Sequence, residues 1–389
     1  MRSLLGDCRR PHLRKLGAAA FFIGGLLASP AIAAEQHETS AGAVTVERIA
    51  GPFEHPWALA FLPEPDALLV TEREGALRVV RKGRISRPVA NLPRVYNYGQ
   101  GGLLDVALDP NFAETSRIFW TFAEPAGRGA RTALASGRLV DWKTNRPRLE
   151  DVKMLFQQQP ALNSGFHFGS RIVFKGDNTL FITTGDRGRA NLVQKLDNHV
   201  GKVIRLTLDG EIPADNPFID QPGALPEIWS LGHRNPQGAA RRPADGAYYT
   251  IAHGAAGGDE VNRPEAGRNY GWPTISYGTH YSGRKIGVGT RAPGLEQPLF
   301  YWDPSIAPSG AVFYEGDMFP EWKGHLLVGS LKFRLISRLS FDDGKLAERE
   351  RMLTRAYGRV RDVRVAPDGA VWFAIDDAEG AIYRMSRAP

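Results

Sequence analysis

Six times along this 389-residue chain the sequence repeats one small plan: an apolar stretch of strand-forming residues, a tight turn carrying Asp, Pro or Gly, and a second apolar stretch. The copies fall at residues 58–71, 105–121, 171–183, 238–250, 311–328 and 363–374. The last is the plainest: Val363-Arg-Val-Ala-Pro-Asp368-Gly369-Ala-Val-Trp372-Phe-Ala374. Successive copies start from about 47 to 73 residues apart, a spacing typical of radial β arrays with insertions. One such unit cannot bury both of its faces, so the units must stack. With 43 Gly and 27 Pro the chain is rich in turn formers, which suits many short strands. The expectation is an all-β chain folded as a six-bladed β-propeller; a pair of β-sandwiches is the competing arrangement and leaves the repeat unexplained. The longer spacing of the middle units is read as loop on one face, where sites are built.

Residues 1–34 read as an export signal. Arg9, Arg10, Arg14 and Lys15 precede an apolar run from Leu16 to Leu27, and Ala31-Ile-Ala33 is a small-x-small cleavage site. The apolar run is too short to span a bilayer comfortably, so stable membrane insertion is not expected. Cleavage near Ala33 would leave a periplasmic or secreted single domain from residue 35 to 389. The sole cysteine, Cys8, would go with the signal, leaving no thiol, disulfide or Cys-bound metal. Of the formal net charge of +7, +4 belongs to residues 1–34. The remainder does not mark a nucleic-acid partner.

Several segments interrupt the repeat with residues that carry chemistry. Asn163-Ser-Gly-Phe166-His167-Phe-Gly169 places a histidine among glycines just before a strand; it is either a turn cap or a base. Asp186, in Thr184-Gly-Asp-Arg-Gly188, is either a turn residue or the carboxylate that fixes the tautomer of His167. Gly232-His-Arg234-Asn235-Pro-Gln-Gly238 offers planar donors suited to carboxylate or quinone oxygens. His253-Gly254-Ala255-Ala-Gly-Gly-Asp259-Glu260-Val-Asn262 combines glycines with an acidic pair, a pattern compatible with a hard cation and unlike an EF-hand. Gln100 sits in a glycine turn, Lys332 ends the strand Ser330-Leu331-Lys332, and Arg359-Val-Arg361 puts two guanidiniums on one strand face.

Taken in order, Gln100-Gly-Gly, His167-Phe-Gly, Gly-Asp186, His-Arg234-Asn235-Pro-Gln-Gly, Gly-Gly-Asp-Glu260-Val-Asn, Asn-Tyr270-Gly-Trp, Ser-Leu-Lys332 and Arg359-x-Arg361-Asp resemble the soluble pyrroloquinoline-quinone (PQQ)-dependent sugar dehydrogenases, the broad aldose branch above all. The resemblance covers roughly residues 45 to 387. It implies a six-bladed propeller and oxidation of an aldose at its anomeric carbon to the lactone. In the family's pattern His167 is the general base, Asp186 orients it, and Arg234 steadies developing negative charge. Gln100, Arg234, Asn235, Ser330, Leu331, Lys332, Arg359 and Arg361 match the cofactor contacts, and Tyr281 would flank the cofactor. A Ca2+ ion would take the backbone carbonyls of Gly254 and Ala255, and a second would lie at Glu260 and Tyr270. Two positions depart from the pattern. Ala255 stands where the family often has Pro, which implies a softer loop, and Phe166 replaces the acidic residue of glucose-specialised members, which implies a wider aldose range.

Two other readings compete. A calcium-dependent lactonase-type hydrolase on the same fold needs a metal held by several carboxylate and Asn side chains at the central channel. A non-catalytic binding propeller is allowed because fold does not fix function, but it leaves His167, Lys332, Arg359 and Arg361 without a role. The preferred sugar, the electron acceptor and the oligomeric state are not legible in the sequence.

Overall fold

The computed structural model describes residues 34–389. They form six antiparallel sheets. Five are simple meanders, at residues 56–85, 103–157, 172–231, 236–302 and 308–352, designated blades 1 to 5. Blade 6 combines both ends of the described chain. Its inner strands, Val360–Val365, Val371–Ile375 and Gly380–Arg387, are extended by Gly42–Phe53, with Glu35–Thr39 outermost. Val46 pairs with Met385 and Val44 with Arg387, so the ring is closed by strand pairing between distant parts of the sequence. The inner strands contact one another in cyclic order, blade 1 following blade 6. This is the expected six-bladed β-propeller, and each copy of the sequence repeat supplies the two innermost strands of one blade.

The second strands are buried on both faces, as in Ala67–Glu72 and Thr179–Thr183, because each blade is covered by its neighbours. Six apolar clusters follow from this, one between each adjacent pair of blades. Trp120 and Leu103 pack against Trp57 and Leu69 between blades 1 and 2, and Phe373 and Val363 against Trp322 and Leu327 between blades 5 and 6. Among the described residues helix is limited to Phe112–Thr115 and two short 3₁₀ turns, and no helix is long and apolar enough to cross a membrane. The proposed export signal lies outside the described residues.

Two polar devices tie the blades together. The first is a threonine latch. Thr71 Oγ1 accepts the Ala58 N–H at 2.9 Å and donates to the Leu104 carbonyl of the next blade at 2.7 Å. Thr121 does the same between Asp105 N–H and Ser170 carbonyl, and Thr183 between Arg171 N–H and Pro236 carbonyl. The second device lies at the ring axis. The fully buried Arg171 reaches Asp105 at 2.9 Å and Asp362 at 3.1 Å, and Arg364 joins the same two carboxylates at 3.3 and 3.1 Å. The backbone N–H groups of Leu59 and Ile172 complete their hydrogen bonding. Because every blade runs as an antiparallel meander from an innermost strand outward, residues preceding the inner strands and residues following the second strands come to one face.

Candidate active site

That face collects the residues singled out in the sequence. Gln100, His167, Arg234–Asn235 and Arg359 precede the inner strands of blades 2, 3, 4 and 6, while Asp186, Gly254–Ala255 and Leu331–Lys332 follow the second strands of blades 3, 4 and 5.

His167 is built into its position from three sides. Its Nδ1 lies 2.6 Å from Asp186 Oδ1. Its backbone N–H donates to Gln100 Oε1 at 2.8 Å. Behind it, the buried Arg187 donates to the carbonyls of Phe166 at 2.8 Å, Ser164 at 2.5 Å and Ala130 at 3.2 Å, with its guanidinium 3.7 Å from the centre of the Phe168 ring. A side chain at Gly185 would overlap the His167 carbonyl, so only glycine lets the two loops meet here. Asp186 also accepts from Gly188 N–H and from the indole of Trp272, both at 2.8 Å. Burial alone would raise the Asp186 carboxyl, but the His167 hydrogen bond and charge, with help from Gly188 and Arg234, hold it below the usual carboxylate range. A carboxylate can only accept, so Nδ1 carries a proton, and in the neutral imidazole it is Nε2 that holds the lone pair.

Arg234 and Asn235 are joined to the same centre. The Asp186 N–H donates to the Arg234 carbonyl at 2.7 Å, and the Asn235 side-chain oxygen accepts from Gly169 N–H at 3.2 Å. The Arg234 guanidinium stands 5.3 Å from the Trp272 ring and donates to the His253 carbonyl at 3.3 Å. Among the buried nitrogens on this face without a hydrogen-bond partner are Arg234 Nε, Asn235 Nδ2, His253 Nε2 and Arg361 Nε. Buried polar groups are as a rule hydrogen-bonded, so a ligand rich in oxygens would suit these. His253 shows that they converge. Burial first, then the charges of Arg234, Arg361 and His167, push its imidazole down to about 3.

Arg361 is nearly buried and pairs with Asp376 at 2.5 Å and Gln237 at 2.8 Å. Arg359, half exposed, reaches Asp376 at 3.4 Å, and His55 Nδ1 reaches it at 2.9 Å. Much of the Arg361 charge is therefore already balanced, which the sequence did not show. Lys332 is exposed and lies over the Phe333 ring. The Ser330 hydroxyl is already engaged with the Ile306 carbonyl at 2.7 Å, and Leu331 is buried. Tyr281 projects into solvent at 82% exposure.

The glycine loop is tied to the Lys332 segment through Asp259. Its carboxylate accepts from Gly254 N–H at 2.8 Å, from Ile306 N–H at 2.8 Å and from Ala307 N–H at 3.0 Å. Residues 306 and 307 in turn accept from the Lys332 and Leu331 N–H groups. The carbonyls of Gly257 and Gly258 crowd Gly254 where any side chain would sit. Glu260 is bonded by Asn262 at 2.9 Å, and burial raises its carboxyl to about 7. The Tyr270 ring stacks on His233 at 4.9 Å; its hydroxyl is engaged by Arg263 and Glu265, so only its backbone is left to hold an ion. Among the described residues no three His, Asp, Glu or Cys side chains lie close enough to hold a metal. Asp105 and Asp362 at the ring axis are both paired with arginines.

Sequence reasoning missed Trp272 and His253, the bracing role of Asp259, which it read as half of a cation-suited acidic pair, and Asp376. The first three lie inside motifs already noted, and what marked them was adjacency. Asp376 had no local signal.

The sequence profile of the Glucose / Sorbosone dehydrogenase family matches residues 53–384. The aldose sugar dehydrogenase of Escherichia coli (strain K12) is 44% identical over 347 residues, 88% of this chain and 93% of that protein. The crystal structure of the soluble aldose sugar dehydrogenase from Escherichia coli in the apo-form superposes with a TM-score of 0.85 at 44% identity, over 89% of this chain and 100% of that one. The PQQ-bound aldose sugar dehydrogenase of Streptomyces coelicolor gives 0.72 at 25% identity, over 90% and 100%. By this profile match and the likeness to the Escherichia coli protein, the chain is an oxidoreductase and belongs to the glucose/sorbosone dehydrogenase family.

Proposed function

We propose that this chain is a PQQ-dependent aldose dehydrogenase that oxidises sugars at the anomeric carbon. The observation that carries the reading is the set of unpartnered buried donors, Arg234 Nε, Asn235 Nδ2 and Arg361 Nε, gathered beside an oriented His–Asp pair. A cofactor with three carboxylates and an ortho-quinone fits such a donor set. Such a cofactor would supply the hydride acceptor that oxidation of the anomeric carbon to the lactone requires.

His167 Nε2 takes the proton of the anomeric hydroxyl, and Asp186 stabilises the imidazolium that results. Arg234 and Asn235 present fixed N–H groups to cofactor oxygens, where a preorganised donor needs no reorientation during reaction. Gln100, Lys332 and Arg359 line the open side and suit the cofactor's carboxylates. The backbone carbonyls of Gly254 and Ala255 would hold one Ca2+ ion, which takes oxygen ligands at flexible geometry. Glu260 and Tyr270 would hold the second ion. Residues 1–34 would direct the chain to the periplasm or outside the cell.

The test is reconstitution of the apo-protein with PQQ and Ca2+, followed by a dye-linked assay over several aldoses. Sugar-dependent dye reduction that requires the quinone supports the reading. No quinone binding and no turnover with any aldose would overturn it.

A further inference from the structure

Positive charge is concentrated at one place on the domain, away from the candidate active site. Residues 78–87 hold Arg78, Arg81, Lys82, Arg84 and Arg87 and no acidic residue, and residues 141–148 add Lys143, Arg146 and Arg148 against Asp141. These two segments carry +7 while residues 35–389 as a whole carry +3, so the rest of the domain is net negative. The first segment is the outer hairpin of blade 1, Ala76–Arg81 paired with Arg84–Ile85, and the second joins the two outer strands of blade 2. The third strand of each blade starts on the face that carries His167 and ends on the other. Both turns therefore lie at the opposite end of the ring.

The two segments enclose a cleft of about 650 Å³ lined by Arg81, Arg84, Ser86, Lys143 and Asn145. Its walls are fastened to each other. Arg81 donates to the Lys143 carbonyl at 2.5 Å and pairs with Glu64 at 2.7 Å. The Arg87 N–H donates to Asn145 Oδ1 at 3.2 Å, and the Ala90 N–H to the Pro147 carbonyl at 3.0 Å. Arg78 and Arg148 have carboxylate partners in Glu72, Asp141 and Glu150. Lys82, Arg84, Arg87, Lys143 and Arg146 are exposed, and among the described residues they have no carboxylate within ion-pairing distance. The Arg81 hydrogen bond holds the Glu64 carboxyl below the usual carboxylate range, outweighing burial, and the charges of Lys143 and Lys82 reach the same group. Like charges gathered this closely repel one another, a cost that a bound anion removes.

We propose that the cleft between blades 1 and 2 binds a compact anion carrying several phosphate groups. Arginine forks suit phosphate oxygens, and lysine supplies a point charge beside them. A phosphate ester carries about −1.5 to −2 charges, so two or three of them offset the five unpaired cations. Bonds from Arg81 and Arg87 cross between the two segments, which suits a small molecule over a continuous strand such as nucleic acid. The site uses neither His167 nor a quinone and stands apart from the dehydrogenase reading.

The test is a calorimetric titration of the full-length protein with inorganic tripolyphosphate at physiological ionic strength. Tripolyphosphate binds about tenfold or more tightly than orthophosphate, and Arg84→Glu and Lys143→Glu each weaken it by about tenfold or more. Lys345→Glu makes the same change of charge on blade 5 and leaves the affinity near that of the parent. Both reversals replace exposed side chains without ion-pair partners, and thermal melts near the parent's show that the variants fold. No tripolyphosphate binding, no effect of either reversal, or equal weakening by Lys345→Glu overturns the proposal. So does binding confined to phosphatidylglycerol vesicles or to a single-stranded oligonucleotide, which would make the patch a membrane or nucleic-acid surface instead.

Discussion

The Nδ1 atom of His167 and the Oδ1 atom of Asp186 are 2.6 Å apart, and the second oxygen of that carboxylate is held by the Trp272 indole at 2.8 Å. The aspartate follows the second strand of blade 3, and the tryptophan comes from the long loop of blade 4. Orientation of the base therefore depends on how two blades dock.

Replacing Asp186 by Asn keeps the shape but lets the imidazole adopt the other tautomer. The expected loss in kcat is on the order of 10²–10⁴, with quinone affinity near that of the parent. Trp272→Phe removes a single hydrogen bond and should lower kcat by only about tenfold. Steady-state assays of the two variants check the ranking, and equal losses would contradict it.

Arg234 supplies an unpaired buried Nε and a planar fork. Arg234→Lys keeps the charge and loses the fork. One charge-assisted hydrogen bond is worth about 1.5–3 kcal/mol, so the dissociation constant for PQQ should rise by roughly 10- to 150-fold. Quenching of intrinsic fluorescence by the quinone measures this directly.

Asp376 gathers Arg361, Arg359 and His55 at the rim. Burial opposes its ionisation, yet the Arg361 charge and hydrogen bond, with His55 and Arg359, hold the carboxyl far below its ordinary value. A folded-state value below the unfolded one gives stability that is complete above about pH 4 and is lost as pH falls through the folded value. Asp376→Asn should thus be less stable than the parent by about 3 kcal/mol at pH 7, with the gap narrowing below about pH 4. Urea melts at the two pH values test the sign; a gap that does not change with pH would be at odds with it.

The threonine latches predict a contrast. Thr121→Val strands the Asp105 N–H and the Ser170 carbonyl and should destabilise by about 1–3 kcal/mol. In blade 4 the latch position is taken by Ile251, and the neighbouring Thr250 is buried with a hydroxyl that has no partner. Thr250→Val should be neutral or slightly stabilising. Thermal melts of both variants decide.

The inner part of each blade was legible because its strands are buried on both faces and read as apolar runs, as in Leu68-Leu69-Val70 or Val371-Trp372-Phe373. The outer strands were not. Lys345–Met352 reads Lys-Leu-Ala-Glu-Arg-Glu-Arg-Met and faces solvent along much of its length, so it lacks the apolar signal. Closure of blade 6 was also hidden, because nothing near Val46 points to Met385. In the site, His167, Asp186, Arg234 and Asn235 stood out as polar residues among glycines. Asp259 and Asp376 act through partners far along the chain, Ile306 for one and His55 for the other, and no local pattern encodes those meetings.

The base assignment is tested most directly by His167→Ala loaded with PQQ and Ca2+ and mixed rapidly with an aldose. Bleaching of the bound quinone should slow by about 10²–10⁴ while the quinone dissociation constant stays close to that of the parent. Bleaching within tenfold of the parent rate would show that another group takes the proton.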